Sequence, residues 1–178
     1  MCSKRLSISF WKRANTMSTS RFRSVLQTLA DHRVEFIVVG GVAAVLEGVP
    51  ANTFDVDVVH CTSAENVARL MAALQEMQAC YRYRPELRPN ESHLSTMGHQ
   101  LLQTRDCPLD VLGAIGKGRS YRDLLPHSHP VKLSDTLTVP VLDLETQIAV
   151  KEELAGPKDL AVLPVLRATL AEIRRRSR

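Results

Sequence analysis

Val34-Glu35-Phe36-Ile37-Val38-Val39-Gly40-Gly41-Val42-Ala43-Ala44-Val45-Leu46-Glu47-Gly48-Val49-Pro50-Ala51-Asn52-Thr53-Phe54-Asp55-Val56-Asp57-Val58-Val59-His60 reads as a buried strand, a Gly-Gly break, a short helix, a turn and a second strand that carries two carboxylates. Phe36 to Val39 is a continuous apolar, mostly β-branched run, which suits a strand covered on both faces. Gly40 and Gly41 end it. On the second strand the side-chain period of two sends Asp55 and Asp57 to one face and Val56 and Val58 to the other. At roughly 3.3 Å rise per residue the two carboxylates stand about 7 Å apart along the strand. They would repel each other in a dry site, and a divalent cation between them resolves the conflict. Oxygen ligands of this kind suit Mg²⁺ or Mn²⁺. The plainer alternative is an edge strand whose aspartates face water, although Asp is disfavoured inside strands.

Strand, Gly-Gly, short helix, Gly, then Thr-x-Asp-x-Asp resembles the signature of the nucleotidyltransferase superfamily that includes DNA polymerase beta. Within it, the resemblance is strongest to small bacterial AbiEii-type toxin nucleotidyltransferases. Two departures stand out in this stretch: Ala51 occupies a position that is usually Arg in such families, and Gly41 one that is Ser in many members. The resemblance implies an α/β (α+β) fold, with a mixed β-sheet flanked by helices and further helices at the C-terminus.

At 178 residues and 44% hydrophobic composition, the chain is long enough for one domain with a sizeable core. Residues 17–178 are expected to form it. Residues 1–16 lack sustained periodicity and are expected to be a mobile extension, or to precede a start at Met17. No segment approaches the roughly 18 apolar residues of a membrane span, so a soluble, cytoplasmic protein without a membrane partner is expected. Cys2, Cys61, Cys80 and Cys107 show no C-x-x-C spacing, which argues against a zinc site or a disulfide framework. The net charge of +4 is partly clustered in Arg174, Arg175, Arg176 and Arg178, a run read as a solvated tail end.

Along the chain, Phe22, Val25, Leu26 and Leu29 fall at helical spacing and predict a helix over about 20–32. Thr62 with Glu65 reads as a capping box for a helix over about 63–79, with Val67, Leu70, Met71, Leu74 and Met77 on its core face. Residues 81–95 read as a strand followed by a loop, and Arg82, Arg84 and Arg88 as solvated basic residues, with contact to nucleotide or acceptor phosphates as the alternative. Strands are predicted over 98–104, 109–112 and 138–142. In the second of these Asp110 is the lone acid among apolar neighbours, facing the side of the Asp pair if Leu109 and Val111 face the core. An Asp near a strand start is also a common turn or cap residue. Gly113, Gly116 and Gly118, with Lys117 and Arg119, lack the spacing of a phosphate loop and read as a flexible loop. His127 and His129 read as loop residues. Asp143 caps a helix to about residue 155, and Gly156-Pro157 breaks it. A last helix follows, in which Pro164 starts a new turn or kinks the chain.

The glycines' missing Cβ atoms allow close backbone approach to phosphate, and tight packing selects them equally well. The segment Lys151, Lys158-Asp159 resembles the C-terminal helices of the same bacterial family, with Gly156 where that family has a second Arg. From the resemblance follows transfer of a nucleoside monophosphate from an NTP to an acceptor by a two-metal mechanism, with a toxin's role and an antitoxin partner. Asp55 and Asp57 would hold the metals, and Asp110 would ligate one and serve as general base. Gly40, Gly41, Thr53, Lys151 and Lys158 would meet the nucleotide. The acceptor is left open between tRNA, a protein side chain and a small molecule. Two other classes compete: a catalytically weakened relative that binds nucleotide or a partner protein, and a nucleic-acid-binding module using the basic termini.

Overall fold

The computed structural model describes residues 16–176. The expected extension, residues 1–16, lies outside them except for Thr16, which opens the first helix.

Helix α1 (Thr16–Asp31) buries Phe22, Val25, Leu26 and Leu29, the face its periodicity predicts. Strand β1 (Phe36–Val39) is buried at every position and runs directly into the short helix α2 (Gly40–Leu46). Strand β2 (Val56–His60) returns antiparallel to β1, with Val39 opposite Asp57. Helix α3 (Ala64–Glu76) follows. Its N-cap is Ser63, whose side chain accepts the Asn66 N–H, and not Thr62. The Thr62–Glu65 pattern is displaced one residue because Asn66 must face inward.

Beyond α3 come β3 (Cys80–Tyr81), the single-turn α4 (Glu91–Leu94), β4 (His99–Gln103) and β5 (Pro108–Leu112). The glycine-rich segment expected as a flexible loop folds as a hairpin, β6 (Ala114–Ile115) with β7 (Arg119–Ser120), leading to α5 (Tyr121–Leu124). Its turn accommodates positive φ at Gly116 and Gly118, and Arg119 forks onto Glu153. Residues 128–132 form strand β8 (Ser128–Lys132), paired with β9 (Thr138–Leu142). His129 therefore lies in a strand and not a loop, where its Nε2 stands 2.8 Å from Glu47. Proline is tolerated in β8 because that strand is a sheet edge. Helix α6 (Leu144–Leu154) is capped by Asp143, as expected. Helix α7 (Pro157–Arg176) continues through Pro164, so that proline opens no new element.

The sheet order is β3-β4-β5-β2-β1-β9-β8. Pairing is parallel for β2–β5 and β1–β9 and antiparallel elsewhere. The architecture is thus a mixed sheet flanked by helices. One face is closed by α1 and α3 over Val38, Val56, Val58, Leu102, Leu109 and Val111. The opposite face has a smaller core of Ile37, Val39, Val59, Leu112, Leu124 and Leu142. Helices α6 and α7 pack Leu144, Ile148, Leu163 and Leu166 against Ala44 of α2. Among the described residues no helix is long and apolar enough to cross a membrane, and Cys61, Cys80 and Cys107 are free thiols. Arg174 pairs with Glu145, and Arg175 and Arg176 share Glu172, which offsets part of the charge of the described part of the basic tail.

Asn66, fully buried, ties α3 to the strand ends. It accepts the Glu35 N–H at 2.7 Å and donates to Glu35 O at 3.0 Å and Cys61 O at 2.8 Å. Replacing it by Ala leaves these backbone groups to lose a partner inside the fold, so Asn66→Ala is expected to cost about 2–3 kcal/mol. Urea unfolding measures this, and a loss below about 0.5 kcal/mol, the range of an ordinary surface change, would contradict the bridging role.

Candidate active site

The valine periodicity of β2 puts Val56 and Val58 in the main core, which sends Asp57 to the opposite face. Asp55 sits just before the strand begins. In the parallel pairing of β2 with β5, Asp57 lies directly beside Asp110, while Leu109 and Val111 enter the same core as the valines. Two adjacent strands thus deliver two carboxylates side by side, and the turn before β2 adds the third. The structure brings Asp55, Asp57 and Asp110 together: one carboxylate oxygen from each lies within 4.8 Å of the others. No other group of this kind occurs among the described residues.

The Gly-Gly break is what lets this cluster pack so closely. Gly40 has φ of +63°, and a Cβ there would overlap the Asp57 carboxylate; one at Gly41 would overlap Thr53 Oγ1. Neither position admits a side chain without displacing a site residue. The Gly41 N–H donates to Asp57. Thr53 Oγ1 lies 3.2 Å from both the backbone oxygen and Oδ1 of Asp55. Thr53 is therefore a support for Asp55 in this arrangement.

Repulsion and burial are only partly offset. Burial, then Asp55, then Asp110 push the Asp57 carboxyl from its ordinary 3.8 up to about 7, against the opposing pull of the Gly41 N–H and Lys151. Burial also raises Asp110, while Arg82 and His99 draw it back. Lys151 reaches Asp57 by charge and Asp159 by a 3.0 Å ion pair. Lys158 is exposed on the first turn of α7 and makes no ion pair among the described residues.

Arg82 is the residue that sequence reasoning placed in solvent. Its Nη2 donates to Asp110 in an ion pair, and its side chain is only 22% exposed. The reason is local register: the Arg82 N–H bonds to Leu101 O, and Leu101 is the cross-strand partner of Asp110. Arg82 follows β3 directly and alternates with Tyr81, whose partner Leu102 faces the main core, so the Arg82 side chain takes the acidic face. Arg84 and Arg88 remain exposed.

No known family model and no curated protein sequence matches the chain. Solved structures do. One is TM1012 from Thermotoga maritima, assigned as a nucleotidyltransferase, with a TM-score of 0.53 at 20% identity over 84% of this chain and 90% of that one. The fold is nucleotidyltransferase-like. A second, the antibiotic-resistance factor ANT(2'')-Ia, aligns with a TM-score of 0.57 at 14% identity over 91% of this chain and 94% of that one. At these identities the likeness concerns architecture, and the mixed sheet with its flanking helices agrees with it.

The raised Asp57 carboxyl has a sign that can be tested. Between its ordinary value of 3.8 and about 7, the folded metal-free protein keeps a proton that the unfolded chain has released, so stability falls as pH rises through that window. Asp57→Asn removes the penalty. The variant is expected to match wild type near the bottom of the window and to exceed it by about 4 kcal/mol above pH 7, read from melts with a chelator present. A variant less stable than wild type above pH 7 would contradict the electrostatic account.

Proposed function

We propose that the chain transfers a nucleoside monophosphate from an NTP to an acceptor, with Asp55, Asp57 and Asp110 as its catalytic carboxylates. The observation that carries this reading is the convergence of three carboxylates on one sheet face, against a Gly-Gly turn, on a nucleotidyltransferase fold. A donor set made only of carboxylate oxygens fits a hard divalent cation, Mg²⁺ or Mn²⁺, and fits zinc or copper poorly. Held by these residues, such cations supply charge neutralisation of the triphosphate and of the attacking and leaving oxygens.

The chain's own residues have separable parts. Asp110, on β5, takes the proton of the acceptor hydroxyl. The Gly40–Gly41 backbone at the start of α2 lies against Asp57 and offers close approach to a phosphate. Lys151, already within charge reach of Asp57, balances the developing negative charge. Thr53 holds Asp55 in place. Lys158 adds a cation at the edge of the same helix pair. A second reading, nucleotide binding without turnover, is favoured by Ala51 and Gly156 standing where the resembling family has arginines. The toxin role and an antitoxin partner extend the first reading and rest on the AbiEii-type resemblance.

Each α-labelled NTP is to be incubated with the protein, Mg²⁺ or Mn²⁺, and total cellular RNA, protein or small-molecule extract. Label is expected in one acceptor fraction, and Asp57→Asn and Asp110→Asn are each expected to reduce transfer by about a hundredfold or more. Transfer that survives Asp110→Asn would contradict the assigned base. Metal-dependent NTP binding without transfer to any fraction would select the second reading.

A further inference from the structure

Arg82 meets the acidic cluster from the side opposite the glycine turn. In the sheet order β3-β4-β5-β2-β1, Gly40 and Gly41 follow β1 and lie against Asp57 and Thr53, and Lys151 also acts on Asp57. Arg82 follows β3 and holds Asp110. The carboxylates thus stand between two flanks, the glycine turn with Lys151 on one side and Arg82 on the other. In an in-line displacement the attacking and leaving oxygens lie on opposite sides of the phosphorus. With the departing phosphates on the glycine flank, the acceptor comes from the Arg82 flank, where the proposed base stands. That flank is open: Leu101 pairs with Asp110 across β4 and β5, shares its face, and is 36% exposed.

The contacts Arg82 makes here are incomplete. Among the described residues its side-chain hydrogen bonds all come from Nη2, which donates to Asp110 Oδ1 and, at a long 3.4 Å, to Leu102 O. Its Nε is buried and has no partner. A buried donor without an acceptor is a cost that this pose does not recover. The guanidinium is a planar fork suited to two parallel bonds with a carboxylate or a phosphate, and Asp110 uses only one arm of it. Once Asp110 ligates a divalent cation, its charge is satisfied and the guanidinium is repelled. Arg82 then stands beside the base, only 22% exposed, having lost its one ion-pair partner among the described residues. A partly buried cation in that position is stabilised by an anion brought from outside.

We propose that Arg82 is an acceptor-binding residue and that the acceptor carries an oxyanion, phosphate or carboxylate, close to its nucleophilic hydroxyl. The proposal rests on the nucleotidyl-transfer reading and narrows its acceptor by charge. Phosphorylated or carboxylated small alcohols have this chemistry, and so does a nucleic-acid end, whose terminal hydroxyl neighbours a phosphodiester. A neutral or cationic alcohol leaves Arg82 without a counter-charge. In the step itself the acceptor oxygen forms a bond to the α-phosphorus of the NTP, the bond from that phosphorus to the bridging oxygen breaks, pyrophosphate leaves, and the hydroxyl proton goes to Asp110. Arg82 stays protonated throughout.

The test is calorimetric binding to the full chain in Mg²⁺, with glycerol 1-phosphate, glycerate and the ribotrinucleotide ApApA as oxyanion-bearing probes and glycerol as their neutral counterpart. At least one oxyanion-bearing probe is expected to bind saturably, and Arg82→Gln to weaken it about tenfold. Arg82→Lys keeps the charge but not the fork, is expected to lose about threefold, and decides the matter should Arg82→Gln not fold. Inorganic tripolyphosphate, standing in for the phosphates of the NTP, is expected to bind wild type and variants alike. The proposal is overturned if no oxyanion-bearing probe binds, if glycerol binds as tightly, if a folded variant binds the probes as wild type does, or if tripolyphosphate loses as much affinity as they do. The probe that binds tells a small alcohol from a nucleic-acid end. Should the probes bind through Arg82 while neither Mg²⁺ nor tripolyphosphate binds at all, the nucleotidyl-transfer reading fails and the acceptor assignment with it, leaving an anion site only.

Discussion

Like charges held side by side across a parallel strand pair are the constraint around which this structure is arranged. Asp57 and Asp110 occupy neighbouring positions on β2 and β5 because the residues flanking them, Val56, Val58, Leu109 and Val111, fill one core. Burying those apolar side chains stabilises the sheet by roughly 1.5–3 kcal/mol each, enough to hold two carboxylates where they repel. The same packing leaves them on the face with the smaller core, where water and ligand have access. Repulsion is thus a by-product of hydrophobic register, and it is the property a cation site requires.

The protein offsets that repulsion locally. Asp110 has Arg82, Asp57 has the Gly41 N–H and the charge of Lys151, and Asp55 has Thr53. These partners come from different parts of the chain. Arg82 follows the edge strand β3, Gly41 lies in the first turn of α2, and Lys151 lies on α6. Each is anchored separately: Arg82 by its backbone bond to Leu101, Gly41 by the strand-to-helix turn, Lys151 by Asp159. Opposite charges at such distances are worth more in a partly buried site than at an exposed surface.

Sequence periodicity carried the centre of the molecule well. A four-residue apolar run, two glycines and an alternating Asp-Val strand identified β1, α2, β2 and the acidic face, and the lone acid in Leu109–Leu112 identified Asp110. Those signals are local, and local rules decide which face a strand residue takes. The edges were less legible because their signals are not local. Arg82 finds Asp110 only through strand pairing across 28 residues. The β6–β7 hairpin has two residues per strand, too few for an alternation to show. In β8 the sequence Ser-His-Pro-Val-Lys alternates poorly because an edge strand with exposed positions has no need of it. Asn66 reads as an ordinary polar helix residue until its three backbone partners are seen.

The cluster of three carboxylates is the centre of the account, and anomalous diffraction from crystals soaked in Mn²⁺ examines it most directly. The account predicts an anomalous peak coordinated by oxygens of Asp55, Asp57 and Asp110, with metal-to-oxygen distances near 2.1–2.2 Å, about those of a small hard cation, and with the Arg82 guanidinium drawn away from Asp110. Manganese bound elsewhere on the molecule, with the three carboxylates unchanged and Arg82 still on Asp110, would contradict it.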